Sequence, residues 1–275
     1  MTKAEIEERF KKKIKDYNTN YQILNPIFKP ALETFKEENP SKKIVIVLYT
    51  GGVDSTHSLL RELEKGNLVI PVYNRLNCEY EKDKFNLIEY TLIHNIKLLR
   101  KKYLNLENLQ LNISSQIHWF SSFTYYQQVY NVISIFTIGY AILRHVDEVI
   151  MSIVMGDDSV SYLSEMRSLF NTSMKMMTVE DAPLKISLKF PLTKMHKDRV
   201  YHESKDLMKK IGVNLKLISC ENPDIINKLN NKGNLEIEIQ PCEKCNSCAR
   251  NRESDIKLDS IRMIAKSHKT EKRKV

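Results

Sequence analysis

The chain has 275 residues, of which 42% are hydrophobic and 28% charged, and its formal net charge is +9. This length and composition fit one large globular domain, or one domain with appendages, and exclude a chain that is mostly low-complexity. The longest apolar stretch, residues 132–144, is interrupted by Ser134, Thr137 and Arg144, so we predict no membrane-spanning segment. The charged start has no apolar signal region, which predicts a cytoplasmic protein.

Helical patterns come first along the chain, at residues 3–16 and 26–38, and predict an N-terminal helical extension over residues 1–40. Strand and helix patterns then alternate, with strands expected near residues 43–49, 68–73, 109–113, 148–155 and 186–190 and helices at residues 55–65, 82–102, 123–145 and 160–177. This order predicts an α/β fold with a doubly wound parallel sheet of about five strands. The predicted units after the extension are a main domain at 41–219, a metal-binding C-terminal segment at 220–265 and a basic tail at 266–275.

A glycine-containing loop, Thr50-Gly51-Gly52-Val53-Asp54-Ser55-Thr56, follows the first predicted strand, whose continuous apolar run is typical of a buried parallel strand. The glycines permit a sharp turn, Asp54 or Ser55 can cap the next helix, and free amides at a helix start attract an anion. The loop lacks the lysine of a Walker loop and the third glycine of a dinucleotide fingerprint. It therefore predicts a different phosphate-binding loop, with an ordinary capped strand-to-helix turn as the alternative.

Ligands of such a sheet lie at the carboxyl ends of the strands, where the strand order reverses. If the first strand is central, the loop should share one cleft with the other strand ends. Those ends are residues 73–75, 155–158 and 190–192.

Four of the five cysteines fall late in the chain, at Cys220, Cys242, Cys245 and Cys248. Two overlapping Cys-x-x-Cys pairs can place three thiolates around one cation, and Cys220 can supply the fourth. A closed four-thiolate zinc site, structural and not catalytic, fits this spacing best, with an iron–sulfur cluster or redox thiols as alternatives. Residues 221–241 read as a long polar insertion, and Cys78 as a plain buried thiol.

The residues 50–56 resemble the Ser-Gly-Gly-x-Asp-Ser loop of the PP-loop ATP pyrophosphatases, with Thr50 in place of the first serine. Together with the cysteine pattern, which begins at Ser219-Cys220, they resemble the 7-cyano-7-deazaguanine synthase (QueC) family. Asn131 resembles an asparagine at a helix start in that family, and Pro191-Leu192 through Lys197 resembles its Pro-Leu segment ending in lysine. The similarity spans about residues 43–252, by motif and order of motifs.

The resemblance implies a HUP-type, Rossmann-like fold and an ATP-dependent C–N ligase. The implied reaction adenylates 7-carboxy-7-deazaguanine, lets ammonia displace AMP to form an amide, and activates that amide again to give the nitrile. The implied catalytic residues are Asp54, Ser55 and Lys197, with Asp54 helping to hold Mg²⁺ and Lys197 offering a cation to the phosphates. The implied ATP-binding residues are Thr50, Gly51, Gly52, Asp54, Ser55, Thr56 and Tyr73. A solvated lysine is the alternative for Lys197, with Lys194 and His196 as rivals.

Substrate residues are expected at Asn131, Asp158, Tyr162 and Arg167. The last three lie in a segment, residues 157–167, that departs from the family's purine-recognition segment by one residue of register. A carboxylate accepting from ring nitrogens and an arginine fork on a carboxylate are the chemistry that such residues offer. A polar helix start capped by Asp158 or Ser159 is the alternative.

Other functions stay open on the sequence alone. A divergent relative of the kind associated with antiphage defence would join the activated deazaguanine to a protein amine. A PP-loop tRNA sulfurtransferase would need a reactive thiol, for which Cys78 is the candidate. A zinc-stabilised nucleic-acid-binding protein with an inactive nucleotide site would use the basic tail, in which five basic residues accompany one glutamate. The oligomeric state, including a homodimer, also stays open.

Overall fold

Five parallel strands form the central sheet of this computed structural model, in the order β3-β2-β1-β4-β5. They are β1 (Ile44–Leu48), β2 (Leu68–Leu76), β3 (Gln110–Ser114), β4 (Glu148–Ile150) and β5 (Ser187–Lys189). Strand β1 is central and pairs with β2 on one side and β4 on the other. Every residue of β1 is buried, as its continuous apolar run predicts. The chain leaves β1 where the strand order reverses.

The structure describes residues 3–24, 26–27, 29–76, 82–114, 124–178, 183–218, 220, 223–229, 235–254, 256 and 260–265. Cys78 and the basic tail at 266–275, for which the sequence supports interpretations, lie outside these residues. No helix in these ranges combines the length and the apolar character needed to cross a bilayer.

Helices cover both faces of the sheet, so the predicted doubly wound α/β fold is confirmed. The first face carries α1 (Lys3–Leu24), α3 (Val53–Glu64), α4 (Lys82–Arg100) and α8 (Lys197–Ile211). The second face carries α2 (Lys29–Glu38), α5 (Thr124–Ser134), α6 (Tyr140–Leu143) and α7 (Leu163–Met177). The two N-terminal helices belong to these layers, because Ile14 and Tyr21 of α1 are buried in the first core and Leu32 of α2 in the second.

The single helix expected at residues 123–145 is wrong, because the chain breaks it in two places. Helix α5 tightens into a 3₁₀ turn at Ile135–Ile138, and Gly139 then adopts a φ of 92° before α6 begins. Only glycine adopts this left-handed backbone at little cost, so the helix cannot continue through it.

A second, antiparallel sheet follows the main one, in the order β6-β7-β8. Its strands are β6 (Asp224–Leu229), β7 (Leu235–Gln240) and β8 (Ile261–Ala265), and α9 (Asn246–Glu253) lies between the last two. Most of the polar insertion expected at residues 221–241 is thus a strand pair. Strand β7 alternates apolar and acidic residues. Ile237 and Ile239 are buried in the first core, and Glu238 between them is buried and pairs with Arg262.

Candidate nucleotide cleft and cysteine cluster

The loop of residues 50–56 emerges from the central strand at the sheet's carboxyl edge. Helix α3 begins at Val53, so Gly52 is its N-cap, and no side chain caps it. The expected capping by Asp54 or Ser55 is wrong, because the helix starts before both residues and their side chains already lie in its first turn. The N-terminal amides of α3 are consequently not satisfied by a capping side chain and face the end of the strand.

Gly51 makes this turn possible. Its φ is +75°, and a Cβ placed there would lie 2.3 Å from Cδ2 of Leu92, a fully buried side chain of α4. The carbonyl of Gly51 accepts a hydrogen bond of 2.7 Å from the amide of Ile218. The loop is thus held against α4 and against the segment that leads to Cys220.

Hydroxyl groups hold the loop from within. The amide of Thr50 donates to Oγ of Ser55 at 3.2 Å, and the two side-chain oxygens lie 3.1 Å apart. The hydroxyl of Ser55 also donates to the carbonyl of Gly52 at 3.3 Å. Thr56 is fully buried, and its amide donates to that same carbonyl at 3.0 Å. Thr56 does not line the cleft, so its predicted contact with ATP would act only through the shape of the loop.

A cleft of about 310 Å³ opens above this loop. A volume of this order is at the lower end of those typical of small-molecule sites. Among the residues expected to bind ATP or catalyse, the structure brings six together on its wall. These are Thr50, Gly52, Asp54, Ser55, Tyr73 and Lys197, and Asn131, expected to bind the substrate, joins them from α5.

Asp54 and Lys197 face each other across the cleft floor. Nζ of Lys197 donates to Oδ2 of Asp54 at 3.1 Å, and the side chains are 10% and 19% exposed respectively. Burial raises the pKa of Asp54, and the charge of Lys197 opposes this rise. The other carboxylate oxygen of Asp54 is buried and has no hydrogen-bond partner in the described part of the chain. This oxygen is available to a cation that enters the cleft.

Helices α3 and α8 point their N-terminal ends at this place. The two helices are in contact along their length. Lys197 meets Asp54 at the first turns, Nε2 of His57 lies 3.0 Å from Oε2 of Glu203 further along, and Lys210 pairs with Glu64 near the far ends. The two helices therefore run side by side in the same direction. Their dipoles both put partial positive charge at the cleft floor, which favours an anion there.

Amide side chains line the opposite wall. Nδ2 of Asn74 donates to the side-chain oxygen of Asn131 at 3.3 Å, and Nδ2 of Asn112 donates to that of Asn74 at 3.0 Å. Asn131 in turn donates to Gln128 at 3.4 Å, and Gln128 donates to Oγ of Ser159 at 3.0 Å. Asn74, Gln128 and Asn131 all line the cleft. Amides offer donors and acceptors side by side, the pattern that the edge of a nucleobase requires.

Of the segment 157–167, only Asp157 lines the cleft. Asp157 caps the 3₁₀ turn Asp158–Tyr162 by accepting from the amide of Ser159 at 2.9 Å. Asp158 is exposed, and Arg167 is exposed with its guanidinium 5.2 Å from the ring of Phe190. The structure therefore does not bring Asp158, Tyr162 and Arg167 together with the loop, and the predicted substrate contacts of these three residues stay predictions.

The four late cysteines come together as their spacing predicts. Their sulfur atoms all lie within 4.8 Å of one another, and those of Cys220 and Cys245 are 3.8 Å apart. Zinc–sulfur bonds of about 2.3 Å in a tetrahedron place sulfur atoms about 3.8 Å apart, so the cluster could hold a metal such as zinc. Cys248 is buried and the other three are partly buried.

Backbone amides stabilise the thiolates of this cluster. The amide of Cys242 donates to the sulfur of Cys220, that of Cys245 to Cys242 and that of Cys248 to Cys245, at 3.3 to 3.4 Å. Burial opposes ionisation of Cys242, but the amides of Lys244 and Cys245 outweigh it and lower the pKa of this thiol to about 7. The donor set consists of sulfur alone, which suits a closed structural site.

The cysteine cluster lies against the cleft. Cys220 lines the cleft wall, and so do Ser247 and Arg250 of α9, the helix that contains Cys248. A guanidinium nitrogen of Arg250 lies 3.3 Å from a carboxylate oxygen of Asp157. Arg250 and Ser247 belong to no sequence motif that predicts a place in the cleft, so the sequence alone did not identify them as cleft residues. The sequence signal for Arg250 is its position two residues after Cys248 of the cysteine cluster.

No protein-family model matches the chain, and no curated protein matches it.

Proposed function

We propose that this protein is an ATP-dependent ligase of the PP-loop type that adenylates a carboxylate. The proposed substrate is 7-carboxy-7-deazaguanine, and ammonia is the proposed nucleophile. The observation that carries the proposal is the loop of residues 50–56 at the carboxyl end of the central parallel strand, with Lys197 and the starts of α3 and α8 around it. Two helix N-termini and a cation at one point form a site for the phosphates of a nucleotide.

The loop and Lys197 would hold the phosphate chain. Phosphate oxygens compete with Asp54 for the ammonium group of Lys197, because both are anions within reach of the same donor. Asp54, when ionised, cannot donate a hydrogen bond to phosphate, and its buried free oxygen suits a Mg²⁺ ligand. Mg²⁺ would neutralise charge on the phosphates and on the leaving pyrophosphate.

In the proposed chemistry, an oxygen of the substrate carboxylate attacks the α-phosphorus, and the bond to the β-phosphate bridging oxygen breaks to release pyrophosphate. The lone pair of ammonia then attacks the acyl carbon, and AMP leaves with the bond that joined it to that carbon, giving the amide and one proton. The amide oxygen then attacks the α-phosphorus of a second ATP, which releases pyrophosphate and one proton, and loss of AMP and a second proton from the adenylated imidate gives the nitrile. The protein contributes position and charge stabilisation, which is where most of the catalysis of such transfers originates.

The amide wall formed by Asn74, Gln128 and Asn131 supports a heterocyclic substrate or the adenine ring. Asp157 adds one carboxylate that can accept from ring N–H groups. These groups offer donors and acceptors side by side, which suits a purine-like edge better than an aliphatic acid. The cysteine cluster would hold zinc as a structural ion, with four thiolates closing its coordination.

The test combines the protein with ATP, 7-carboxy-7-deazaguanine and ammonium and follows AMP, pyrophosphate and the product by mass spectrometry. We expect AMP release and carboxylate-dependent exchange of labelled pyrophosphate into ATP. Lys194→Ala serves as the control for Lys197→Met, because Lys194 is an exposed lysine three residues before Lys197 and is not among the residues that line the cleft. Absence of both AMP and exchange with the native protein would refute the proposal. If the final product is the amide, the proposed adenylation stands and the proposed nitrile step is refuted.

A further inference from the structure

Arg250 reaches the cleft from the cysteine cluster. Cys245 is the N-cap of α9, its sulfur accepts the amide of Cys248, and Arg250 follows on the same short helix. The orientation of this eight-residue helix is therefore set by the two thiolates at its start. A metal bound by these thiolates would fix the direction in which the guanidinium group points.

Arg250 lines the same cleft as Thr50, Gly52, Asp54 and Ser55 of the loop. The segment that carries Cys220 is hydrogen-bonded to the loop through Ile218 and Gly51, so the cluster sits beside the loop. Arg250 forms an ion pair with Asp157. Burial raises the pKa of Asp54 and Lys197 lowers it, and the charge of Asp157 further raises this pKa while the charge of Arg250 lowers it. Arg250 and Asp54 thus line one cleft, and the guanidinium lies within electrostatic range of the carboxylate that Lys197 contacts.

The four charges of this region form two cation–carboxylate pairs, Lys197 with Asp54 and Arg250 with Asp157. The side chains of the second pair are 24% and 26% exposed, so both are partly shielded from water, and both residues line the cleft. A planar guanidinium presents paired N–H donors that match two oxygens of a phosphate group, which an ammonium cannot do.

We propose that Arg250 is a second phosphate-binding cation of the cleft and that the metal centre holds it in place. This inference rests on the proposed function, because it takes ATP as the ligand. Phosphate oxygens replace the carboxylate of Asp157 as the partner of the guanidinium, as they replace Asp54 at Lys197. The structural metal then controls nucleotide affinity without touching the nucleotide. The substrate carboxylate is the alternative oxyanion, and we choose phosphate because Arg250 lines the same cleft as the loop and Asp54.

The test measures binding of ATP, inorganic pyrophosphate and adenosine by calorimetry to the native metal-loaded protein and to Arg250→Ala, Arg250→Lys and Lys244→Ala. Lys244 is the matched control, since it is an exposed cation between two of the metal ligands. We expect Arg250→Ala to weaken ATP and pyrophosphate binding about 10- to 100-fold and to leave adenosine binding and metal content unchanged. Arg250→Lys should recover part of the affinity, and Lys244→Ala should match the native protein.

Four results would overturn the inference. Native-like pyrophosphate affinity in Arg250→Ala, together with active pyrophosphate exchange, would leave the proposed function standing and remove the role of Arg250. An equal loss of adenosine binding or a loss of metal would show that Arg250 is a structural residue. A rise in KM for the carboxylate alone would assign Arg250 to the substrate. A native protein that binds neither ATP nor pyrophosphate would instead remove the proposed function and the inference with it.

Discussion

Replacing Gly51 with alanine should destabilise the protein and distort the loop at the end of the central strand. The backbone of Gly51 has a φ of +75°, which costs an L-residue about 1–2 kcal/mol. The new methyl group would also meet Cδ2 of Leu92 at 2.3 Å, and moving this fully buried side chain costs about 1–3 kcal/mol more. We therefore expect a loss of about 2–5 kcal/mol, or roughly 5–15 °C in Tm for a chain of this size.

Gly212 supplies the matched control. Its φ is +66°, and an added Cβ meets nothing within 4 Å, so Gly212→Ala pays only the backbone cost of about 1–2 kcal/mol. Urea and thermal unfolding followed by circular dichroism would measure both variants. The excess loss in Gly51→Ala over Gly212→Ala reports the contact with Leu92.

The double variant Gly51→Ala/Leu92→Ala separates the steric effect from the backbone effect. Truncating Leu92 vacates the space that the new methyl group needs, so the double variant should be more stable than the sum of the single losses by about 1 kcal/mol or more. Equal stability of Gly51→Ala and Gly212→Ala, or strict additivity in the double variant, would refute this account of the loop's packing.

Further predictions concern the charged pair, the metal cluster and a buried histidine. Lys197→Met should reduce carboxylate-dependent pyrophosphate exchange about 100- to 1000-fold, and an exchange rate equal to that of Lys194→Ala would contradict the assignment. Chelation, or Cys248→Ser, should remove one metal ion per chain and lower Tm by more than about 5 °C, as measured by elemental mass spectrometry and calorimetry; an unchanged Tm would show that the cluster holds no structural metal. Burial lowers the pKa of His57 although its bond to Glu203 opposes this shift, so the folded state favours neutral His57. The contribution of neutral His57 to the free energy of unfolding is then complete above its ordinary pKa of 6.5 and is lost as the pH falls through the lower folded-state pKa. The variant His57→Gln should therefore show a smaller fall of Tm over this pH window. A pH profile of Tm equal to that of the native protein would contradict this prediction.

Local sequence patterns predicted much of the fold. The continuous apolar run of β1 predicts a buried parallel strand whatever lies around it, because only such a strand removes every one of those side chains from water. The regular alternation of strands and helices predicts the doubly wound sheet in the same way. The second sheet was missed although β7 alternates apolar and acidic residues as a half-buried strand does, because its partner β6, with the sequence DIINKL, lacks that alternation.

The site also combines features that the sequence predicted with features that only the tertiary structure shows. The sequence by itself determined the loop, through two glycines after an apolar strand, and the cysteine cluster, because Cys-x-x-Cys spacing brings thiolates together within one or two turns of chain. Tertiary structure alone decided which side chains share the cleft. Lys197 meets Asp54 from 143 residues away, because α8 packs alongside α3 in the same direction.

Tertiary structure also decided that Asp157 and not Asp158 lines the cleft, and that Arg250 joins it from the cysteine cluster. One residue of register at a helix start turns a side chain from the cleft towards solvent, and sequence spacing does not record that rotation. The strand order brings the end of β4 beside the end of β1, and the bond from Ile218 to Gly51 brings the cysteine segment there as well. Such contacts depend on how distant segments pack, which no local pattern of residues contains.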